Sequence, residues 1–263
     1  MAIPDAASIS KEDFDTLVNE YPVLVKEISV TKGSKPGQKK LSQLDVYRYD
    51  EAPAAFAING AKGEMALEDV KRLVEWKLRH GKFRPTLMNL VSSNTDVTAT
   101  STIAKAMASY TPSTIPAALT TLTALRGIGP ATASLLLSVH DAENVLFFSD
   151  EAFWWLCCDG KKDSIKYNPK EYEMLRSVAA KLMKRLGVSA VDVEKAAYVV
   201  MKRGGDVAAP PKGKAGPAKA KETTPTVKKP AEKKPPVEKR KPDVADEGST
   251  AVAGTRRSKR VKG

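Results

Sequence analysis

The chain has 263 residues, 43 of them Lys or Arg against 31 Asp or Glu, for a formal net charge of +12. From Asp206 onward it holds 16 basic and 7 acidic residues, 8 of its 17 prolines and no aromatics, a composition that buries too little apolar surface to offset the entropy of ordering. No apolar run reaches the roughly 18 residues of a membrane-spanning helix, and the N-terminus has no basic region leading into an apolar core, which argues against a secretory signal.

One helical body over residues 1–205, with a net charge of +3, and a disordered basic tail over 206–263 are therefore expected. Ser10 followed by Asp13 predicts an N-cap for a first helix through Phe14, Leu17 and Val18, ending near Tyr21-Pro22. The next segment, PVLVKEISVT, reads as helix or as strand, and residues 32–40, KGSKPGQKK, as a basic loop. A further helix fits 41–49. Leu67, Val70, Leu73, Val74 and Leu78 recur at helical spacing, with Glu68, Lys71, Glu75 and Lys77 between them. Gly81 closes that helix and Pro85 opens the next. Helices are then expected over 85–92, 96–110, 115–125, 151–158, 169–186 and 190–202. The last two begin at Asn168-Pro169 and at Ser189 with Asp192. The fold class is all-α, with roughly nine or ten helices and no internal repeat.

The stretch Leu122–Leu156, LTALRGIGPATASLLLSVHDAENVLFFSDEAFWWL, carries the chemistry. One apolar helix ends at Leu125, Gly127-Ile128-Gly129 turns the chain, and a second helix starts at Pro130. Two glycines around one aliphatic residue permit positive φ and close backbone approach, while Ile128 plugs the space between the helices. Unpartnered amides at the start of the second helix make a ready phosphate site, helped by the helix dipole. An ordinary helix–turn–helix connection is the plainer reading of the same residues.

LRGIGPATASLLLS resembles the helix-hairpin-helix element, over 116–140, of the base-excision DNA glycosylases, the superfamily of endonuclease III and adenine glycosylase. The resemblance is carried by residues 120–157 and is compatible with the helical pattern over 85–205. It implies a multi-helix glycosylase-like body that binds double-stranded DNA phosphates through Arg126, Gly127, Ile128, Gly129, Ala131 and Thr132. It also implies a catalytic aspartate at the start of the next helix, here Asp150, 21 positions after Gly129. Such a carboxylate stabilises oxocarbenium character on the sugar and orients water, once the base has left the stack. Some members carry a nucleophilic lysine at the position of Ala131; its absence implies a monofunctional glycosylase without lyase chemistry. Asp150 is followed by Glu151-Ala152-Phe153 instead of the family's small β-branched residue and polar partner. The four-cysteine iron–sulfur cluster of some members is missing.

The other polar groups divide between chemistry and structure. Ser149 or Asp150 serves as the cap of the helix that follows. Five aromatics, Phe147, Phe148, Phe153, Trp154 and Trp155, surround Asp150, and most are expected in the core with one or two walling a base site. Lys32, Lys35, Lys39 and Lys40, and separately Lys77, Arg79, Lys82 and Arg84, are candidate phosphate contacts or solvated faces. His80 and His140 are expected to cap helices or sit on the surface, and Cys157 and Cys158 to be packing thiols. In the tail, Lys239-Arg240-Lys241 and Arg256, Arg257, Lys259 and Arg260 suit nuclear import or nonspecific attraction to DNA. No metal or cofactor is expected. Two further functions compete with a nuclear, monomeric glycosylase: an inactive helix-hairpin-helix DNA-binding or chromatin scaffold, and a protein-interaction scaffold docking a partner through the aromatic patch.

Overall fold

A computed structural model describes residues 3–204. The expected disordered tail over 206–263, with the clusters Lys239–Lys241 and Arg256–Arg260, lies outside the described residues. Within them the fold is all-helical, with no strand. The order is α1 (Lys11–Lys32), α2 (Leu41–Val46), α3 (Ala52–Phe56), α4 (Leu67–His80), α5 (Leu87–Ser92) and α6 (Asp96–Ala108). There follow α7 (Ile115–Leu122), α8 (Pro130–His140), α9 (Asp150–Cys157), α10 (Pro169–Leu186) and α11 (Ala190–Arg203). A π-helical turn, Tyr47–Glu51, joins α2 to α3.

The helix starts follow the capping residues. Ser10 Oγ accepts from the Asp13 amide at 3.0 Å, and Asn168 with Glu171 and Ser189 with Asp192 form reciprocal capping boxes. Gly187 ends α10 in the left-handed region at φ +66°. The expected stop at Tyr21-Pro22 does not occur: α1 runs ten residues further, and PVLVKEISVT is helix. An internal proline costs about 3 kcal/mol. Tyr21, Leu24 and Val25 are all buried beside it, each contributing about 1.5–3 kcal/mol, so burial against α11 offsets the lost hydrogen bond.

The helix expected over 41–49 changes character at residue 47. Pro53 has no amide to donate to the Tyr49 carbonyl, and just before it the ladder widens, with the Ala52 N–H reaching back to Tyr47 O. The wide turn sends Arg48 into the interior, where it is fully buried.

α8 forms the axis of the core, with every residue from Ala131 to His140 buried. It packs on α7, α4 and α3, while α11 packs on α1 and α9, and α10 on α9. Both histidines depart from expectation, being buried and not superficial. His80 is stacked between Trp76 and Tyr198, with ring centroids 4.4 and 3.8 Å away, and desolvation holds its pKa well below the usual imidazole value. His140 Nδ1 meets Phe56 O at 2.7 Å. Helix geometry places the end of α4, the α7–α8 turn and the start of α9 around one opening.

Candidate functional site

A cleft of about 680 Å³ opens there, within the usual range for ligand sites. Its polar lining comes from four segments, with Leu87 and Leu90 of α5 adding apolar surface. The α4 end and following loop give Lys77, Lys82 and Arg84; the α7–α8 turn and first turn of α8 give Gly127, Gly129, Ala131 and Thr132; the approach to α9 gives Phe147, Phe148, Ser149, Asp150 and Trp154; the loop before α10 gives Lys162 and Tyr167.

The turn is held by a side chain in no motif. Asn94 accepts from the Arg126 amide and donates to the Arg126 carbonyl, each at 2.9 Å. The two glycines differ. Gly127 has φ +79°, and a Cβ there would stand 2.9 Å from Leu90 Cβ and 3.0 Å from Val91 N. Gly129 is extended, at φ −90° and ψ 179°, exposed, and has open space where a Cβ would point. Positive φ and close approach are thus required only at Gly127. Ile128 is buried as a plug, and its amide donates to Leu125 O at 3.1 Å. Thr132 N–H donates to Gly129 O at 2.9 Å. The amides of Gly127, Gly129 and Ala131 have no hydrogen-bond partner among the described residues, and Arg126 is exposed beside them.

Across the cleft, Ser149 caps α9, its Oγ accepting from the Ala152 amide at 3.1 Å. That relieves Asp150 of the capping role and leaves its carboxylate half-buried in the cleft wall. Asp150 Oδ1 accepts from the Tyr167 hydroxyl at 2.5 Å. Tyr167 takes a left-handed backbone, φ +54°, and Arg84 lies 5.5 Å over its ring. The approach to Asp150 is anchored below: Phe148 N–H donates to Ser134 Oγ at 2.9 Å, and Tyr172 OH to Leu146 O at 3.0 Å. Neighbouring Glu151 turns away from solvent to pair with Lys202 at 2.7 Å.

Of the five aromatics, Phe147, Phe148, Phe153 and Trp155 are all buried in the core, and Trp155 Nε1 donates to Pro4 O at 2.8 Å. Only half-buried Trp154 is open to the cleft, which Phe147 and Phe148 back from the core.

The basic residues grouped along the sequence separate in space. Lys77 Nζ donates to Thr132 Oγ1 at 2.8 Å and lies 6.0 Å from the Phe147 ring centre. Burial lowers its pKa to about 8, Arg84 adding repulsion and Asp150 opposing the shift. Arg79 instead donates to the Lys39 and Gly33 carbonyls at 2.6 and 2.5 Å, and Lys32 donates to Arg79 O at 2.7 Å. These two tie the 33–40 loop to α4. Tyr167 and Asn94 escaped the sequence reading, because neither lies in a periodic segment; an Asn in a Ser-Ser-Asn-Thr cluster signals only a turn. Cys157 is a free, half-buried thiol whose pKa burial pushes up to about 12, which suits packing and not reactivity.

Comparison of the chain with protein-family models, curated proteins and solved structures finds no match. Among the described residues no helix is long and apolar enough to cross a membrane.

Proposed function

We propose that the helical body binds double-stranded DNA through a helix-hairpin-helix turn at Arg126–Thr132, admits one extrahelical nucleotide to the cleft, and hydrolyses its N-glycosidic bond with Asp150. One observation carries the reading: an aspartate freed from capping shares a single cleft with three unpartnered turn amides and a cationic rim. The amides and Arg126 suit a backbone phosphate. Lys82, Arg84 and Lys162 suit the flanking ones. Half-buried Trp154 suits stacking on a base taken out of the duplex, with Phe147 and Phe148 packed behind it.

In this mechanism the Asp150 carboxylate stabilises positive charge on the sugar as the base departs and orients the attacking water. Tyr167 positions it by holding Oδ1, leaving the second oxygen for water. Base identity is set by the shape of the aromatic wall. The basic clusters of the tail add nonspecific attraction and suit a nuclear protein.

The test is base release from duplexes carrying a panel of damaged and mismatched bases, with the full chain and with Asp150→Asn. Release by the parent and loss of about two orders of magnitude or more in the variant is expected, the usual scale for a group acting directly on the reaction. Salt-dependent binding with no release above the Asp150→Asn control would reduce the protein to a DNA-binding scaffold.

A further inference from the structure

A second cavity opens at the far end of α8 from the turn, between the chain that follows α3 and one side of α6. Its volume is about 330 Å³, at the lower end of the range for small-molecule sites. Buried Phe56, Met65, Ile103 and His140 line it, with the more exposed Ala104 and Met107 of α6 beside them. The loop that walls it is pinned by the backbone: Ile58 N–H donates to His140 O at 2.9 Å, and Lys62 N–H to Ala55 O at 2.8 Å. The fold therefore shapes this space before any ligand arrives.

His140 is 7% exposed, and its hydrogen-bonding capacity is only half met. The Phe56 carbonyl, 2.7 Å from Nδ1, can only accept, so Nδ1 carries the ring proton. Nε2 is then a bare acceptor, and it has no hydrogen-bond partner among the described residues. Burial lowers the pKa of the ring against the opposing effect of the Phe56 bond, which favours the neutral imidazole and its free lone pair. A buried acceptor left unmet costs free energy, and such orphans are rare in folded proteins. No lysine or arginine lines the cavity, so nothing there attracts an anion. A cation would lose its hydration against apolar walls. The two methionine side chains adapt readily to a flat ring and make favourable sulfur contacts with it.

We infer that this cavity binds a small uncharged apolar molecule of the indole or phenol type, whose single N–H or O–H donates to His140 Nε2. None of its lining residues lines the cleft, so the assignment stands apart from the DNA reading.

The experiment titrates the full chain with indole and with indene, the same bicyclic shape without the N–H, by calorimetry. Indole should bind about fivefold or more tightly, the scale of one net hydrogen bond. Ala104→Phe, at an exposed position of α6 whose side chain meets the cavity, should abolish saturable indole binding by filling the space, with its melting curve recorded to show that it is folded. His140→Phe removes the acceptor and should equalise the two probes. Nitrogen NMR of the isotope-labelled parent gives the same readout without a substitution: the His140 Nε2 resonance should move on adding indole and stay in place with indene. No saturable indole binding, equal affinities for the two probes, or indole binding that survives Ala104→Phe overturns the assignment. So does an Nε2 resonance that bound indole leaves unmoved.

Discussion

Alanine substitutions at the two turn glycines separate what the fold requires from what a ligand would require. At Gly127 the added methyl would stand 2.9 Å from Leu90 Cβ and 3.0 Å from both Val91 Cγ2 and Val91 N, on a backbone at φ +79°. A left-handed conformation costs a non-glycine residue about 1–2 kcal/mol. Forcing extra volume against buried Val91 and its backbone costs about 1–3 kcal/mol more. The sum, about 2–5 kcal/mol, corresponds to a fall in Tm of roughly 5–15 °C for a body of this size.

Gly129→Ala meets neither obstacle, because φ is −90° and nothing lies within 4 Å of the new methyl. Alanine is the poorer N-cap by several tenths of a kcal/mol, and the stiffer unfolded chain returns about 0.4–1 kcal/mol. Its stability should therefore stay within about 0.5 kcal/mol of the parent. Scanning calorimetry of both variants reads the difference directly. Equal losses, or a larger loss at Gly129, would refute the assignment of strain and crowding to Gly127. Duplex binding by Gly129→Ala tests the other half. Its methyl projects from an exposed turn beside unpartnered amides, and masking one phosphate hydrogen bond of about 1 kcal/mol should weaken low-salt binding about fivefold. Unchanged affinity would remove the turn from the interface.

Two further predictions concern the polar groups behind the cleft. Arg48 is fully buried, pairs with Glu194 at 3.3 Å and donates to Ser138 at 2.6 Å; Arg48→Met would leave buried Glu194 without its counter-charge and with only the Tyr49 hydroxyl as donor, so chemical denaturation should show a loss of roughly 3–5 kcal/mol that Glu194→Gln in the same chain largely restores. A loss under about 1 kcal/mol in the single variant would show that Glu194 does not depend on this partner. Asp45 accepts from Tyr21 and Trp76, and burial raises its pKa to about 6 from 3.8. Because the folded state holds this proton more tightly, its contribution is fully present below about pH 4 and is lost as pH rises through about 6. Asp45→Asn, compared with the parent by melting temperature across pH 4–7, should flatten that component; an unchanged pH profile would exclude Asp45 as its source.

The parts of the fold legible in the sequence were those set by local chemistry. Ser10, Asn168 and Ser189 start their helices because a cap needs only the next three residues. Gly187 ends α10 for an equally local reason. Length and order of the helices from α4 to α11 followed from periodicity and breakers. The continuation of α1 through Pro22 was not legible, since it depends on burial against α11, at the far end of the described residues. His80 likewise looked superficial in the polar segment RHGKFRP, yet Trp76 and Tyr198 close over it from two helices. Within the cleft, the turn was marked by an unusual glycine spacing, whereas Asp150 was singled out by the glycosylase resemblance, its own sequence context signalling only a helix cap. Tyr167, which holds Asp150, sits in a loop with no period to reveal it.

Charge illustrates the same division most sharply. Lys77, Arg79, Lys82 and Arg84 form one basic group in the linear sequence, and a helical turn separates their fates. Residues two apart on a helix point about 200° away from each other, so Lys77 and Arg79 at the end of α4 must face opposite sides. Arg79 faces α1 and spends its guanidinium on the Lys39 and Gly33 carbonyls, holding the 33–40 loop. Lys77 faces α8 and enters the cleft at Thr132. Lys82 and Arg84, beyond Gly81, are released from helical geometry and reach the rim of the same cleft. Net charge could not anticipate this, because the first 205 residues carry only +3. The useful positive potential comes from placing three cations of one short segment around Asp150 while the fourth is consumed in the scaffold. The local field at the α7–α8 turn is therefore set by the pitch of α4, which decides which cations of the segment face the cleft.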